Sequence, residues 1–183
     1  AMKLTEMGVE FKFNSTLGTD ILIDELADQY DGVVLAVGMP KSKVLDLIEK
    51  NIPENQKADA LLFLKAFNEN KKMIPDSSVV VVIGGGNSSI DAARSASRLN
   101  QENKILITCV ETENEMPAFD EEVDHAKSEG IKLIPDSFIK EVTIKKNGKI
   151  VLSLYSFKNK SNHLKDIECD FVITAIGQTA DKS

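Results

Sequence analysis

Four short runs along the chain are apolar almost without interruption: 33–37, 79–83, 105–110 and 171–176. A strand with one wet face alternates apolar and polar positions, whereas a parallel strand covered on both faces does not. The pattern therefore predicts buried strands. Between the second and third runs, residues 88–99 read as a helix, with Ser89, Ala93 and Ala96 on one stripe at i, i+4 and i+7. Small residues on a stripe let a helix approach a sheet closely. A second helix is expected over 118–129, ended by Gly130 at the C′ position, followed by a short strand over 131–134. Alternating strands and helices are the pattern of a doubly wound parallel sheet.

The flanks read differently. From 138 to 167 the pattern changes to shorter alternating strands, with Asn147-Gly148 as the hairpin signal. Upstream, two amphipathic helical stretches, 43–50 and 58–70, are separated by Ile52-Pro53 and closed by Pro75-Asp76. Residues 1–38 read as a separate piece with a short strand over 9–13, a helix over 21–29 and the apolar run 33–37. That is too little chain to form a core alone.

Composition narrows the function classes. Of 183 residues, 42% are hydrophobic and 28% charged, enough apolar material for a core and too much for wholesale disorder. Twenty-two Lys and Arg against 29 Asp and Glu leave a net charge of -7, contrary to the basic face of a nucleic-acid or anionic-membrane binder. No apolar run approaches the roughly 18 residues of a membrane helix, and the first residues hold no apolar signal core. A cytoplasmic setting is expected. Cys109 and Cys169 lie far apart in sequence and form neither a CxxC pair nor a zinc-like cluster; with only His125 and His163 beside them, no metal site is expected.

The candidate chemistry sits after the second apolar run. Gly84-Gly85-Gly86-Asn87-Ser88-Ser89 follows a buried strand and opens a helix, the context in which a G-x-G-x-x-G/A fingerprint carries meaning. Gly84 permits the tight turn and Gly86 lets a pyrophosphate approach the backbone, while Ser89 stands as the small third residue where helix and strand pack. The helix N-terminus offers free N–H groups and partial positive charge to phosphates. Asn87 or Ser88 either caps this helix or touches the ligand. The next strand ends at Val110-Glu111, and Glu111 is placed to accept hydrogen bonds from the adenosine ribose hydroxyls. Asp91, in the first helical turn, suits the helix dipole. The expected fold class is thus α/β: a Rossmann-like three-layer parallel sheet with an antiparallel β crossover and a small N-terminal flanking piece.

The run Gly84 to Arg94, with Glu115-Met116-Pro117-Ala118 and Glu121-Glu122, resembles the glutamate synthase small (beta) subunit and its relatives. The resemblance extends to Leu17-Gly18, to Tyr30 through Gly38, and to Cys169 through Asp181. It implies a pyridine nucleotide-dependent flavoprotein with two dinucleotide-binding domains, the NAD(P)H domain inserted into the FAD domain through hinge strands. On that basis 1–38 is a remnant of the FAD-domain segment and hinge strand, and 39–76 a helical connector. The NAD(P)-binding domain is 77–177, with 138–168 as its β crossover, and 178–183 begins the returning FAD segment. The family's FAD fingerprint has no counterpart before Tyr30, so FAD is expected only in the full-length protein and the isolated segment is expected to be inactive. A larger catalytic or iron-sulfur partner subunit is implied as well.

Two departures bear on function. NADPH-using members of the family usually carry an aromatic residue and two arginines at the second strand's end, where this chain has Val110-Glu111-Thr112. NAD(H) is therefore expected in preference to NADP(H). No CxxC pair is present, which separates the chain from thioredoxin-reductase-like proteins.

Hydride transfer between nicotinamide and flavin needs no protein acid or base. No catalytic residue is assigned, consistent with the absence of a supported nucleophilic triad. The cofactor-binding candidates are Gly84, Gly85, Gly86, Asn87, Ser88, Ser89 and Glu111, joined by Ala175 and Gly177, because ligands sit at the carboxyl ends of parallel strands. The alternative reading is a non-catalytic Rossmann-type nucleotide-binding or sensing module; a methyltransferase binding S-adenosylmethionine is disfavoured by the family match. From Glu111 to Glu129 the chain carries eight acids against Lys127 alone, a solvated helix face or an electrostatic docking surface for a partner.

Overall fold

The computed structural model describes residues 2–180. In chain order its elements are α1 (Met2–Glu6), α2 (Ile23–Gln29), β1 (Lys41–Ser42), α3 (Asp46–Asn51), β2 (Lys57–Asp59), α4 (Ala60–Asn68), β3 (Val79–Ile83) and α5 (Asn87–Leu99). They continue with β4 (Lys104–Thr108), α6 (Asp120–Ser128), β5 (Lys132–Ile134), β6 (Ser137–Ile144), β7 (Ile150–Ser156), β8 (His163–Cys169), β9 (Phe171–Thr174) and β10 (Gln178–Thr179). The chain divides at Gly38 into two units.

The first unit holds α1, α2 and one isolated parallel bridge between Leu17 and Ile21. None of its residues from 3 onward is buried. The strands expected over 9–13 and 33–37 do not form, and Val34 is 90% exposed. An apolar run becomes a strand only when a neighbouring strand takes its N–H and C=O groups. The described residues of this unit supply none.

The second unit is built on a five-stranded, wholly parallel sheet in the order β2-β9-β3-β4-β5. Its two faces explain the missing alternation. On β3, Val80 and Val82 pack with Phe63, Ile90, Ala93, Ala96 and Val123 beneath α4, α5 and α6. Val81 and Ile83 point to the other side and pack with Ile48, Ile139, Ile150, Leu152 and Leu154, from α3 and a three-stranded antiparallel sheet, β6-β7-β8. Each fully buried valine contributes about 1.5–3 kcal/mol relative to exposure. Three layers result, and the Rossmann-like α/β fold is that of the structure.

Local chemistry sets the connections. Gly148, at φ +82, turns the β6–β7 hairpin while its N–H donates to the Lys145 carbonyl. Gly130, at φ +83, ends α6. The stretch expected as a helical connector includes an edge strand of the main sheet: β2 pairs with β9 at Lys57–Val172, Ala58–Ile173 and Asp59–Thr174. The helix begins only after it, because Asp59 Oδ1 accepts from the Leu61 and Leu62 N–H groups and caps α4. Gln178 and Thr179 pair antiparallel with Ser42 and Lys41, while 181–183 lie outside the described residues. No helix among the described residues is long and apolar enough to cross a membrane.

Candidate functional site

At the carboxyl ends of β3, β4 and β9 the second unit opens a cleft of about 520 Å³. The position follows from the topology: loops leaving adjacent parallel strands part there, and the helix after β3 begins there. Its walls include Gly84, Gly85, Gly86, Asn87, Ser88, Glu111, Ala175 and Gly177. Of the cofactor-binding candidates, Ser89 alone lies off the cleft. It is fully buried beneath it, its hydroxyl donating to the Gly86 carbonyl at 2.6 Å.

The three glycines are small for three different reasons. Gly84 has φ +141, and a Cβ on it would overlap the Ala175 carbonyl, which the β9 strand brings alongside. Its N–H donates to the Thr108 carbonyl at 2.8 Å and the Ala175 N–H to the Ile83 carbonyl at 2.7 Å, stitching the loop to both neighbouring strands. A Cβ on Gly85 would lie 2.7 Å from Glu111 Oε2, so the Glu111 carboxylate rests against the glycine loop. A Cβ on Gly86 would meet nothing within 4 Å, and Gly86 lines the cleft.

Of the two roles open to Asn87 and Ser88, capping is not the one they take. Gly86 itself is the N-cap of α5, with φ -93 and no side chain to offer, which leaves the first-turn N–H groups without a capping side chain. Asn87 instead fastens another loop: its Oδ1 accepts from the Phe119 N–H at 2.9 Å, beside an Ala118 N–H to Gly85 carbonyl bond of 3.1 Å. The loop before α6 is thereby pinned to the glycine loop. Asp91 is exposed but lies past the first turn of α5, which starts at Asn87 and holds no acidic residue there, so it is not at the helix start as expected.

At the other margin, Gly177 takes φ +98, and its carbonyl accepts from the Lys43 N–H at 3.0 Å. Beneath the cleft, Thr108 and Ser137 share a buried hydroxyl pair at 2.6 Å, completed by Ser137 Oγ donating to the Ile134 carbonyl. Sequence reasoning did not find Ser137 or Asp136, whose N–H donates to the Glu111 carbonyl at 2.7 Å. The signal available was only a polar pair between two apolar strands.

Cys109 lines the cleft, but burial, reinforced by the nearby Glu111 charge, pushes its thiol up to about 11. Cys169 is fully buried, and burial raises it to about 12. Both cysteines are free. The acidic run is paired in part: Glu122 and Glu129 hold Arg94, Glu129 also holds Arg98, and Glu113 holds Lys127. Hydrogen bonding from Arg94 keeps the Glu129 carboxyl below its ordinary range. Among the described residues no group of three or more His, Cys, Asp or Glu side chains is arranged to hold a metal.

The family model of pyridine nucleotide-disulphide oxidoreductases matches residues 2–183. The chain belongs to that family. It is 32% identical, over 80% of its length, to the glutamate synthase (NADPH) small chain of Escherichia coli, covering 32% of that protein. It is 30% identical over 98% of its length to the NADPH-Fe(3+) oxidoreductase subunit beta of Geobacter sulfurreducens, covering 29% of it. To the NADP(+)-dependent formate dehydrogenase subunit beta of Moorella thermoacetica it is 29% identical over 97% of its length, covering 27%. The chain thus spans about a third or less of each relative. The likeness to glutamate synthase small subunits read from the sequence is among those that these comparisons return.

Proposed function

We propose that this chain is the NAD(P)H-binding domain of a flavin-dependent oxidoreductase that passes hydride from the nicotinamide to FAD and on to a partner subunit or acceptor. The cleft fits a dinucleotide in two respects. Gly86 leaves open space where a side chain would stand, and the uncapped first turn of α5 offers N–H groups and the positive end of a helix dipole. When bound, the nicotinamide supplies the hydride; the chain contributes position and electrostatics. Gly84, Gly85, Gly86, Asn87, Ser88 and Ser89 form the phosphate cradle in this reading. Glu111 takes the ribose, and Ala175 and Gly177 leave room at the nicotinamide side. No side chain is asked to move a proton. The names of the relatives, as subunits of larger enzymes, support a partner that receives the electrons.

The finer part of the proposal is a preference for NAD(H), although these relatives are named for NADP(H). One observation carries it: the Glu111 carboxylate rests against Gly85 at the end of β4, where a 2′-phosphate would require a cation. The chain's two arginines are not free to supply one, since Arg94 is bound by Glu122 and Glu129, and Arg98 by Glu129. Charge repulsion and the lost ribose hydrogen bonds together amount to about a hundredfold preference or more. Titration with NADH and NADPH at matched salt measures it, and Glu111→Gln should reduce the gap. Equal affinities, or tighter NADPH, would remove Glu111 from the ribose.

A further inference from the structure

We propose that Asp136 is a positioning residue for nucleotide choice, holding Glu111 and the loop at 157–162 together at the adenosine end of the cleft; this rests on the reading of Glu111 as the ribose partner. Asp136 lies between β5 and β6 with φ +47, a left-handed conformation that Asp and Asn adopt more readily than other non-glycine residues. Its polar groups tie its own turn to two other segments, Glu111 and 156–158. The N–H donates to the Glu111 carbonyl at 2.7 Å, and its own carbonyl accepts from the Phe157 N–H at 3.0 Å. Carboxylate Oδ2 accepts from Ser156 Oγ at 2.8 Å and Oδ1 from the Lys158 N–H at 2.9 Å. Ser156 Oγ in turn accepts from the Asn159 N–H at 3.0 Å.

The neighbouring Ser137 N–H donates to the Cys109 carbonyl at 2.8 Å, so 136–137 runs alongside 109–111 and fixes the backbone that carries the Glu111 side chain. The clamp also sets the charge of this end. Lys158 Nζ comes to 3.9 Å from Glu115, whose carboxyl is held below its ordinary range by the hydrogen bond from Thr112 and by the Lys158 charge. Glu115 and Asp136 thus both lie beside Lys158, and Glu111 is joined to the same turn through its backbone carbonyl. Removing the Asp136 carboxylate does two things: it releases the 157–162 loop and lowers the negative charge that a 2′-phosphate would meet. Both reduce discrimination, and the first also weakens NADH binding.

Asp136→Asn keeps shape, the left-handed tolerance and one acceptor oxygen. Asp136→Gly relieves the backbone but removes the carboxylate entirely. Titrating wild type and both variants with NADH and NADPH at matched salt, beside thermal melts, tests the assignment. The ratio of NADH to NADPH affinity should fall about tenfold in Asp136→Gly and by an intermediate amount in Asp136→Asn, with both variants folded. A ratio unchanged in both variants overturns the proposal, even if the two affinities drop in parallel, because a purely structural role weakens both nucleotides alike. Glu111→Gln separates the two levels. If it leaves the ratio unchanged, the ribose reading itself falls; if it collapses the ratio while the Asp136 variants keep it, the Asp136 assignment alone falls.

Discussion

Val34 and Val81 each stand inside an unbroken apolar run, and the two runs end in opposite environments. Val81 is fully buried on a strand with parallel neighbours on both sides and a packed layer on each face. Val34 is 90% exposed in a segment without regular structure. The difference does not lie in the residues, which share the same β-branched preference for extended backbone. It lies in what surrounds them. A strand is stabilised by its cross-strand partners and by the area it removes from water, and both are properties of the assembled sheet.

The sharpest way to break this comparison is to put the same charge at both positions. Val81→Asp places an unpaired carboxylate between two hydrophobic layers, at a cost of about 4 kcal/mol or more, a large part of a domain's total stability. Val34→Asp should change stability by less than about 0.5 kcal/mol. Urea melts of the two variants compare them directly. Similar losses would mean that 33–37 is packed as tightly as Val79–Ile83.

The same logic says what was legible in the sequence. The central strands were readable because burial on both faces leaves a local trace, the continuous apolar runs of Val79–Ile83 and Phe171–Thr174. β2 was not, because an edge strand of three residues reading Lys57-Ala58-Asp59 has no such run; Lys57 is tucked in by Glu49 and Glu54 instead. The run at 33–37 misled for the converse reason, since local pattern does not report whether a partner strand is present. In the candidate cleft, fixed spacing made the glycine loop and Glu111 visible together. What stayed hidden was contact between distant segments: Gly85 against Glu111, Asn87 against Phe119, and Asp136 across three loops.

Within the well-packed unit, the glycines allow a second cut, between space the protein fills and space it leaves open. Gly84→Ala forces a Cβ into the Ala175 carbonyl at φ +141, so β3 and β9 must separate locally; the strain alone is on the order of 1–3 kcal/mol. In Gly86→Val the Cβ meets no heavy atom within 4 Å, and φ -93 is one that any residue adopts. Its melting temperature should stay near wild type while calorimetric titration shows NADH binding lost. Retained affinity in folded Gly86→Val would take the glycine loop out of the binding site. A normal melt for Gly84→Ala would show that β9 does not press on the loop.

The smallest effect is one of rate, and it compares two thiols buried to different ends. Cys109 is 4% exposed at the margin of the cleft, and Cys169 is fully buried between the layers. The thiolate is the nucleophile, and with burial raising Cys109 to about 11, roughly one molecule in a thousand carries it at pH 8. The sign is set by that raised value: alkylation should quicken about tenfold per pH unit between pH 7 and 10, then level off as pH passes about 11. Cys169, raised to about 12 and without a path to solvent, should stay unmodified until the chain unfolds. Saturating NADH should slow Cys109 a few-fold if the nucleotide takes the proposed place over the cleft wall that Cys109 shares with Glu111. Mass spectrometry after timed iodoacetamide exposure reads both sites. Rapid labelling of both thiols at pH 7 would mean that the layers over the sheet open far more readily than Val81's complete burial implies.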